Sequence, residues 1–403
     1  SVHRLRCAVR PRSARIFCRC RSSAPTFADD WYGPYMGFEH VELASLGKFH
    51  RNRLPKDAPV IHRFEHWFLS HPEALELWQR SLREVTGAAQ TWDSALPAAW
   101  HSSAWVADRT LALLERSQSG ERPFFTWASF PDPHHPFDCP SPWREMYDAK
   151  DMVLPKHRTL DLDKRPWWHR AALEGQPQIA DPELAKFRQE GFKVPPQSDA
   201  QLADMMANYF GMISHVDHQI GRILEGLQRT GLADNTLVVF ASDHGDMLGD
   251  HGLYLKGPMI YEGVLRVPLV MAGPGVPVGK VVETPVSTID LASTFMESAG
   301  LPSQSPQSRS LHPVMTTDEE AEAFGVGAEG SVVVDSKDER ARSAGVQPQR
   351  IFALGLVLAA GRAERAGAGA TAGAAAAGRA AAGRLPAPAL GRPAPARGHG
   401  PRH

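Results

Sequence analysis

Only four of the 403 residues are cysteine, and three of these, Cys7, Cys18 and Cys20, fall near the amino end. So few thiols exclude a disulfide-stapled scaffold, and with no C-x-x-C pair a zinc ribbon is excluded too. No apolar run approaches the roughly 18 residues a membrane-crossing helix needs, so no membrane span is expected. Charge of one sign is also missing. The chain has 44 basic and 45 acidic residues, a formal net charge of -1, which gives no broad field for nucleic acid or an anionic membrane surface. Acidic residues are absent from residues 1–27, where seven Arg are found. That segment also lacks the apolar stretch of a secretory signal, which points to a cytoplasmic protein.

The composition divides the chain into three zones. Residues 1–27 show neither helical nor strand periodicity and read as a basic disordered segment. Residues 28–315 mix Trp, Phe, Leu and Val with charges as a globular domain does. Residues 316–403 drift into Ala, Gly, Pro and Arg and read as a low-complexity disordered tail. A chain of this length has enough material to bury a large core.

Within the globular zone, strand and helix patterns alternate. "HSSAWVADRTLALLERSQ", from His101, carries an apolar stripe at helical spacing, and "PFFTWASF", from Pro123, is a short β-rich run leading into "PDPHHPFDCP". "DAQLADMMANYFGMISHVDHQIGRILEGLQRTGL" predicts a long helix, with Ser198 and Asp199 at its start and Gly231 at its stop. "NTLVVFAS" and "RVPLVMAG" predict buried strands, and "VSTIDLASTFMESAGLP" a further helix. This alternation predicts an α/β fold, a three-layer α/β/α sandwich around a mostly parallel central sheet. In such sheets ligands gather beyond the carboxyl ends of the strands.

The densest chemistry follows "NTLVVFAS". There the strand delivers Asp243 and His244, a carboxylate beside an imidazole, a pair suited to a divalent cation. Gly245 lets the chain turn, and Asp246, Asp250, His251 and Lys256 crowd the same loop between Gly249, Gly252 and Gly257. A lysine held near a cation is repelled by it unless an anion lies between them. The pattern therefore points to a metal and an ammonium gripping one tetrahedral oxyanion from two sides.

"SDHGDMLGDHGLYLKGPMIYEGVLRVPLVM" resembles the D-H-G to K-G to Y-E-G-x-x-R-V-P segment of the sulfatase family, in the alkaline phosphatase superfamily. The resemblance extends to "PFFTWASFPDPHHPF", "NYFGMISHVDHQIGRILEGL" and "VSTIDLASTFMESAGLP", and covers about residues 31–315. It implies hydrolysis of a sulfate monoester, small-molecule or glycan, at a divalent metal, commonly Ca2+, with Mg2+ or Mn2+ as alternatives. Carried onto this chain, Asp243 and His244 would ligate the metal. Lys256 would contact the sulfate and steady the leaving oxygen. His134 would bind a sulfate oxygen and donate a proton to the departing alcohol, with His135 beside it as a further substrate contact. Asp217 and His218, mid-helix, are assigned to packing, and Arg266 to ordering the loop through Glu262.

Two parts of the family pattern are not found. An apolar strand ending in two aspartates is imitated by Asp29 and Asp30, but "SSAPTFADDW" has no such strand. The C-x-P-S-R motif, whose Cys becomes formylglycine, has no match. The expectation is an N-terminally incomplete sulfatase-like domain, inactive as it stands. Phosphonate monoester hydrolases and phosphodiesterases of the same superfamily share the D-H-G, G-D-H and Lys pattern and form the alternative, followed by a non-catalytic remnant. Nothing in the sequence fixes the oligomeric state.

Overall fold

The computed structural model describes residues 12–18, 38, 40–44, 63–82, 84, 86–118, 123–158, 162–167, 169, 194, 196–256, 261–303, 306–316, 330–334 and 352–360. These lie in a compact unit, Ser1–Ala363; the second unit, Glu364–His403, lies outside the described residues. In chain order the elements are β1 (Arg12–Cys18), β2 (His40–Ala44), α1 (Arg63–Leu69), α2 (Ala74–Gln79), β3 (Thr91–Ser94), α3 (Ser102–Gln118), β4 (Phe124–Ser129) and β5 (Phe137–Pro140). They continue with α4 (Asp199–Arg229), β6 (Thr236–His244), α5 (Glu262–Leu265), β7 (Leu269–Ala272), β8 (Val281–Val286), α6 (Asp290–Ser298), α7 (His312–Thr316), β9 (Gly330–Val334) and β10 (Phe352–Ala360). Among the described residues no helix is long and apolar enough to cross a membrane.

Eight strands form one sheet in the order β2-β1-β4-β10-β6-β7-β9-β8, and β3 and β5 pair in parallel apart from it. β2, β1 and β4 are parallel neighbours. β10 is antiparallel to both β4 and β6, so these two point the same way. β7 is antiparallel to β6, β9 is parallel to β7, and β8 is antiparallel to β9. Five of the eight strands therefore share one direction, with β10, β7 and β9 opposed.

Three layers follow from the period-2 alternation of β6. Val238 and Phe240 face a core built with α1, α2, α3 and α4, including Phe64, Trp78, Trp105, Leu114 and Ile223. Leu237, Val239 and Ala241 face the opposite core, with Leu291, Phe295, Val314 and Met315 from α6 and α7. β10 divides in the same way, Leu358 to the first core and Val357 to the second.

The long helix α4 is delimited by its own sequence. Ser198 accepts from Gln201 N–H while the Gln201 side chain accepts from Ser198 N–H, a reciprocal capping box. At the far end Gly231 takes φ +70, Gly231 N–H donates to Gln228 O and Leu232 N–H to Leu227 O. That is the left-handed Schellman closure, which glycine adopts at least cost. Near this end α4 lies tight on α3, where a Cβ at Gly226 would stand 2.2 Å from Leu111 Cδ2.

The structure adds to the sequence reading in two places. "PDPHHPFDCP" is predicted as a loop, yet Phe137–Pro140 pairs with Thr91–Ser94 as a fully buried strand. β1, β9 and β10 come from the segments 1–27 and 316–403, which composition reads as unstructured. A ladder is made of backbone hydrogen bonds and asks little of sequence beyond short apolar runs, which "GSVVV" and "FALGLVLAA" supply. Asp29 and Asp30 lie outside the described residues.

Candidate active site

β6 brings Asp243 and His244 to its carboxyl end, and the loop behind them is held down by packing. Met247, Leu248, Leu253, Tyr254 and Val264 are buried against Met205, Met206, Tyr209 and Met212 of α4. The turn at its tip requires glycine: Gly249 sits at φ +90, and a Cβ there would meet Leu202 Cδ2 at 2.4 Å. Gly249 N–H donates to Leu253 O and Leu248 N–H to Tyr254 O, closing the loop on itself.

At the strand end, His244 N–H donates to Asp243 Oδ1 at 2.8 Å, and His244 Nδ1 meets Gly245 O at 3.1 Å. A carbonyl only accepts, so that contact sets the imidazole proton on Nδ1 and gives Nε2 the lone pair. His244 Nε2 and Asp243 Oδ2 stand 3.7 Å apart. That is a spacing at which one cation can touch both, given ligand distances of about 2.3–2.6 Å.

The electrostatics tie Lys256 to this pair. Burial pushes Asp243 up to about 6, opposed by the His244 N–H and the Lys256 charge. The push arises although 57% of the Asp243 side chain stays open. Burial and the same lysine bring His244 down to about 4. Asp246, fully buried, rises to about 7 through desolvation, with Lys256 pulling it down and Asp243 pushing it up. Lys256 thus acts on all three groups, and its Nζ is itself buried. Tyr209 of α4, wholly buried, is raised by desolvation and by the charges of Asp246 and Asp243, which marks its hydroxyl as a neighbour of the same group.

His134 and His135 are buried and stacked, ring centroids 4.1 Å apart, with His134 Nδ1 against His135 O. Their loop leaves β4, and register relates it to the first group. Ser129 of β4 and Ala241 of β6 both pair with Gly355 of β10. Two strand spacings, about 9–10 Å, therefore separate the two strands laterally, and β6 runs three residues further, to His244. Both strands point the same way, so the His134 loop and the Asp243–Lys256 loop rise from the same edge of the sheet.

The remaining candidates are also placed. Asp217 and His218 lie on the exposed face of α4, and Arg266 approaches Glu262 at 3.8 Å. Trp167 is 74% exposed, whereas His169 is buried and its Nε2 meets the Tyr261 hydroxyl at 3.0 Å. Tyr261 in turn stacks on His251, with centroids 4.2 Å apart. The sequence reading does not single out Tyr209, His101, Asp132 or His215. The last three form a buried group whose potential ligand atoms all lie within 4.8 Å of one another. Residues so distant along the chain carry no spacing signal, and only the packing of α3 and of the loop after β4 against α4 joins them.

The pattern of the family described as Sulfatase matches residues 41–301. The chain is 31% identical over 232 residues to the choline-sulfatase of Rhizobium meliloti (strain 1021), covering 57% of this chain and 42% of that protein. It is 33% identical over 203 residues to the arylsulfatase of Clostridium perfringens (strain 13 / Type A), covering 49% and 38%. It thus spans about two-fifths of the length of these relatives. Among solved structures, the phosphonate monoester hydrolase of Agrobacterium radiobacter aligns with TM-score 0.57 at 24% identity, over 78% of this chain and 61% of that one. The enzyme of the same description from Silicibacter pomeroyi gives 0.57 at 23%, over 77% and 60%. At that identity the likeness concerns the fold, which is the three-layer α/β/α architecture described above.

Proposed function

Because the chain belongs to the sulfatase family, we propose that the carboxyl end of β6 is a sulfate-monoester site, in which a divalent cation on Asp243 and His244 and the ammonium of Lys256 hold one sulfuryl group between them. The observation that supports this most directly is that Asp243 Oδ2 and His244 Nε2 face each other at 3.7 Å at the carboxyl end of β6, ahead of the loop that buries the Lys256 ammonium. A lysine clustered with two carboxylates and a neutral imidazole suits an anion bridging ammonium and cation.

The donor set fits a cation of the calcium class, with Mg2+ or Mn2+ as alternatives. Asp243 Oδ2 and His244 Nε2 face each other at 3.7 Å, and a carboxylate disfavoured by desolvation gains from a positive charge beside it. Two protein donors fall short of the six to eight that calcium takes, so substrate, water and further side chains complete the set. Once bound, the ion would polarise the sulfuryl oxygens and stabilise developing charge. In this reading Lys256 neutralises the charge gathering on the leaving oxygen. His134 carries the proton for the departing alcohol, and His135 lies beside it as a substrate contact.

The formylglycine nucleophile does not fit the residues present. Cys139 is wholly buried in β5, and a Cβ on Gly211 of α4 would stand 2.6 Å from its Sγ. It sits in C-P-S-P rather than C-x-P-S-R. We therefore assign binding, but not turnover, to the chain as it stands; covalent catalysis needs its nucleophile.

The test is calorimetric titration of the chain with Ca2+, then with inorganic sulfate, alongside turnover of an aryl sulfate and a phosphate diester. Saturable Ca2+ binding, sulfate binding that depends on it, and no turnover are expected. A chain with no Ca2+-dependent rise in melting temperature would instead be a non-catalytic remnant. Turnover of the aryl sulfate would refute the assigned inactivity. Turnover of the diester alone would favour phosphonate monoester hydrolase or phosphodiesterase chemistry, the second reading, which the shared fold of the two hydrolases supports.

A further inference from the structure

A second polar group occupies the interior, and the chemistry proposed above does not use it. His101 lies immediately before α3, Asp132 in the loop after β4, and His215 in the middle of α4. The three are 5%, 0% and 0% exposed. Each offers a nitrogen or oxygen within 4.8 Å of the others. The His101 and His215 rings meet edge to face at 86°, with centroids 5.6 Å apart. His215 Nδ1 stands 4.0 Å from Asp132 Oδ2, beyond hydrogen-bond reach and near the separation of two ligands on one small ion. Ser103 Oγ donates to Asp132 Oδ2 at 2.7 Å, orienting the carboxylate as outer partners of metal ligands do. The Trp143 ring, 4.4 Å from that of His215, makes part of the wall apolar.

We propose that His101, Asp132 and His215 form a binding site for one borderline divalent ion of the zinc class. Two imidazoles and a carboxylate are a donor set that Zn2+, Co2+ and Ni2+ favour and Ca2+ does not. At bond lengths of about 2.0–2.1 Å, tetrahedral ligands lie about 3.3 Å from one another. The observed spacing closes to that by shifts of about 1 Å. A divalent ion would set positive charge beside the buried Asp132 carboxylate while leaving both imidazoles neutral. The ion would fasten α3, α4 and the start of the His134 loop to one point, a structural role separate from the β6 site.

The test is titration of the chelator-treated full chain with Co2+, read by visible absorption. One equivalent with the intense band of a four-coordinate ion is expected, displaced by Zn2+ and insensitive to excess Ca2+. His215→Ala and His101→Gln should each weaken Co2+ binding by at least about a hundredfold. Asp132→Asn, which keeps the shape and an acceptor for Ser103, should do so without altering the metal-free melting temperature, and decides the matter if a histidine variant fails to fold. Asp243→Asn should leave the band unchanged. A wild-type chain without the band, a band that survives Asp132→Asn, or a band lost in Asp243→Asn would each overturn the proposal. Co2+ binding without Ca2+ binding would uphold this site and overturn the one at β6.

Discussion

The end of β6 and the His101–Asp132–His215 group are both clusters of carboxylate and imidazole, yet the fold builds them in opposite ways. At β6 the groups come from one strand end and one loop, and Asp243 and His244 keep 57% and 28% of their side chains exposed. In the interior each group comes from a different element and none exceeds 5% exposure. An open cluster on a single loop suits a ligand that must arrive and leave. A sealed cluster assembled by helix packing suits one that stays. Their groups differ as well: the stretch at the end of β6 holds two carboxylates, one imidazole and a lysine, whereas the sealed group is richer in imidazole.

The contrast breaks most sharply at Asp243. Asp243→Asn should lower Ca2+ affinity by at least about a hundredfold, because it removes the charged oxygen donor of the pair. Calorimetry measures this directly. Undiminished Ca2+ binding would mean that the ion sits elsewhere, and the distinction between the clusters would lose its basis. Next in size is Lys256→Ala, expected to weaken Ca2+-dependent sulfate binding about tenfold to a hundredfold, the loss of one charge-assisted contact. Without sulfate the same change should tighten Ca2+ slightly, since a repelling charge is gone. A parallel loss of Ca2+ and sulfate affinity would instead make Lys256 a support of the loop.

Gly249→Ala sharpens the comparison through packing. The left-handed backbone and the approach to Leu202 should together cost about 2 kcal/mol. That cost falls on the loop carrying Lys256, so sulfate affinity and thermal stability should drop together. The buried cluster, anchored by α3 and α4, should keep its Co2+ affinity. Loss of both would show that the two regions share one cooperative unit.

What the sequence made legible follows the same division. Asp243, His244, Asp246 and Lys256 fall within one short stretch, so their spacing alone marks a candidate site. α4 was readable to its ends because Ser198, Gln201 and Gly231 act locally. Phe137–Pro140 was not, because β5 exists only where β3 comes alongside. β10 was hidden for a related reason: its place between β4 and β6 is fixed by pairing with residues far away in the chain. Likewise His215 reads as one more helix residue until α3 and the post-β4 loop bring His101 and Asp132 to it.

The smallest expected effect is a pH dependence of the metal-free protein. Asp243 and Asp246 are raised in the folded state, to about 6 and about 7. Between the unfolded carboxylate value and those pH values the folded chain binds the more protons, and stability falls as pH rises. His244, lowered to about 4, acts in the opposite sense, adding stability as pH rises from about 4 to its unfolded value near 6.5. Below about 6 the two carboxyls outweigh the one imidazole, between about 6 and 6.5 Asp246 and His244 oppose one another, and from about 6.5 to 7 the Asp246 contribution remains. A decline of about one degree in melting temperature is therefore expected over that last interval, levelling off by about pH 8, and Asp246→Asn should flatten it. Calorimetry in chelator reads the slope. A melting temperature that rises from pH 6.5 to 7.5 would contradict the buried carboxyl as its source and place the dominant titration in another part of the chain.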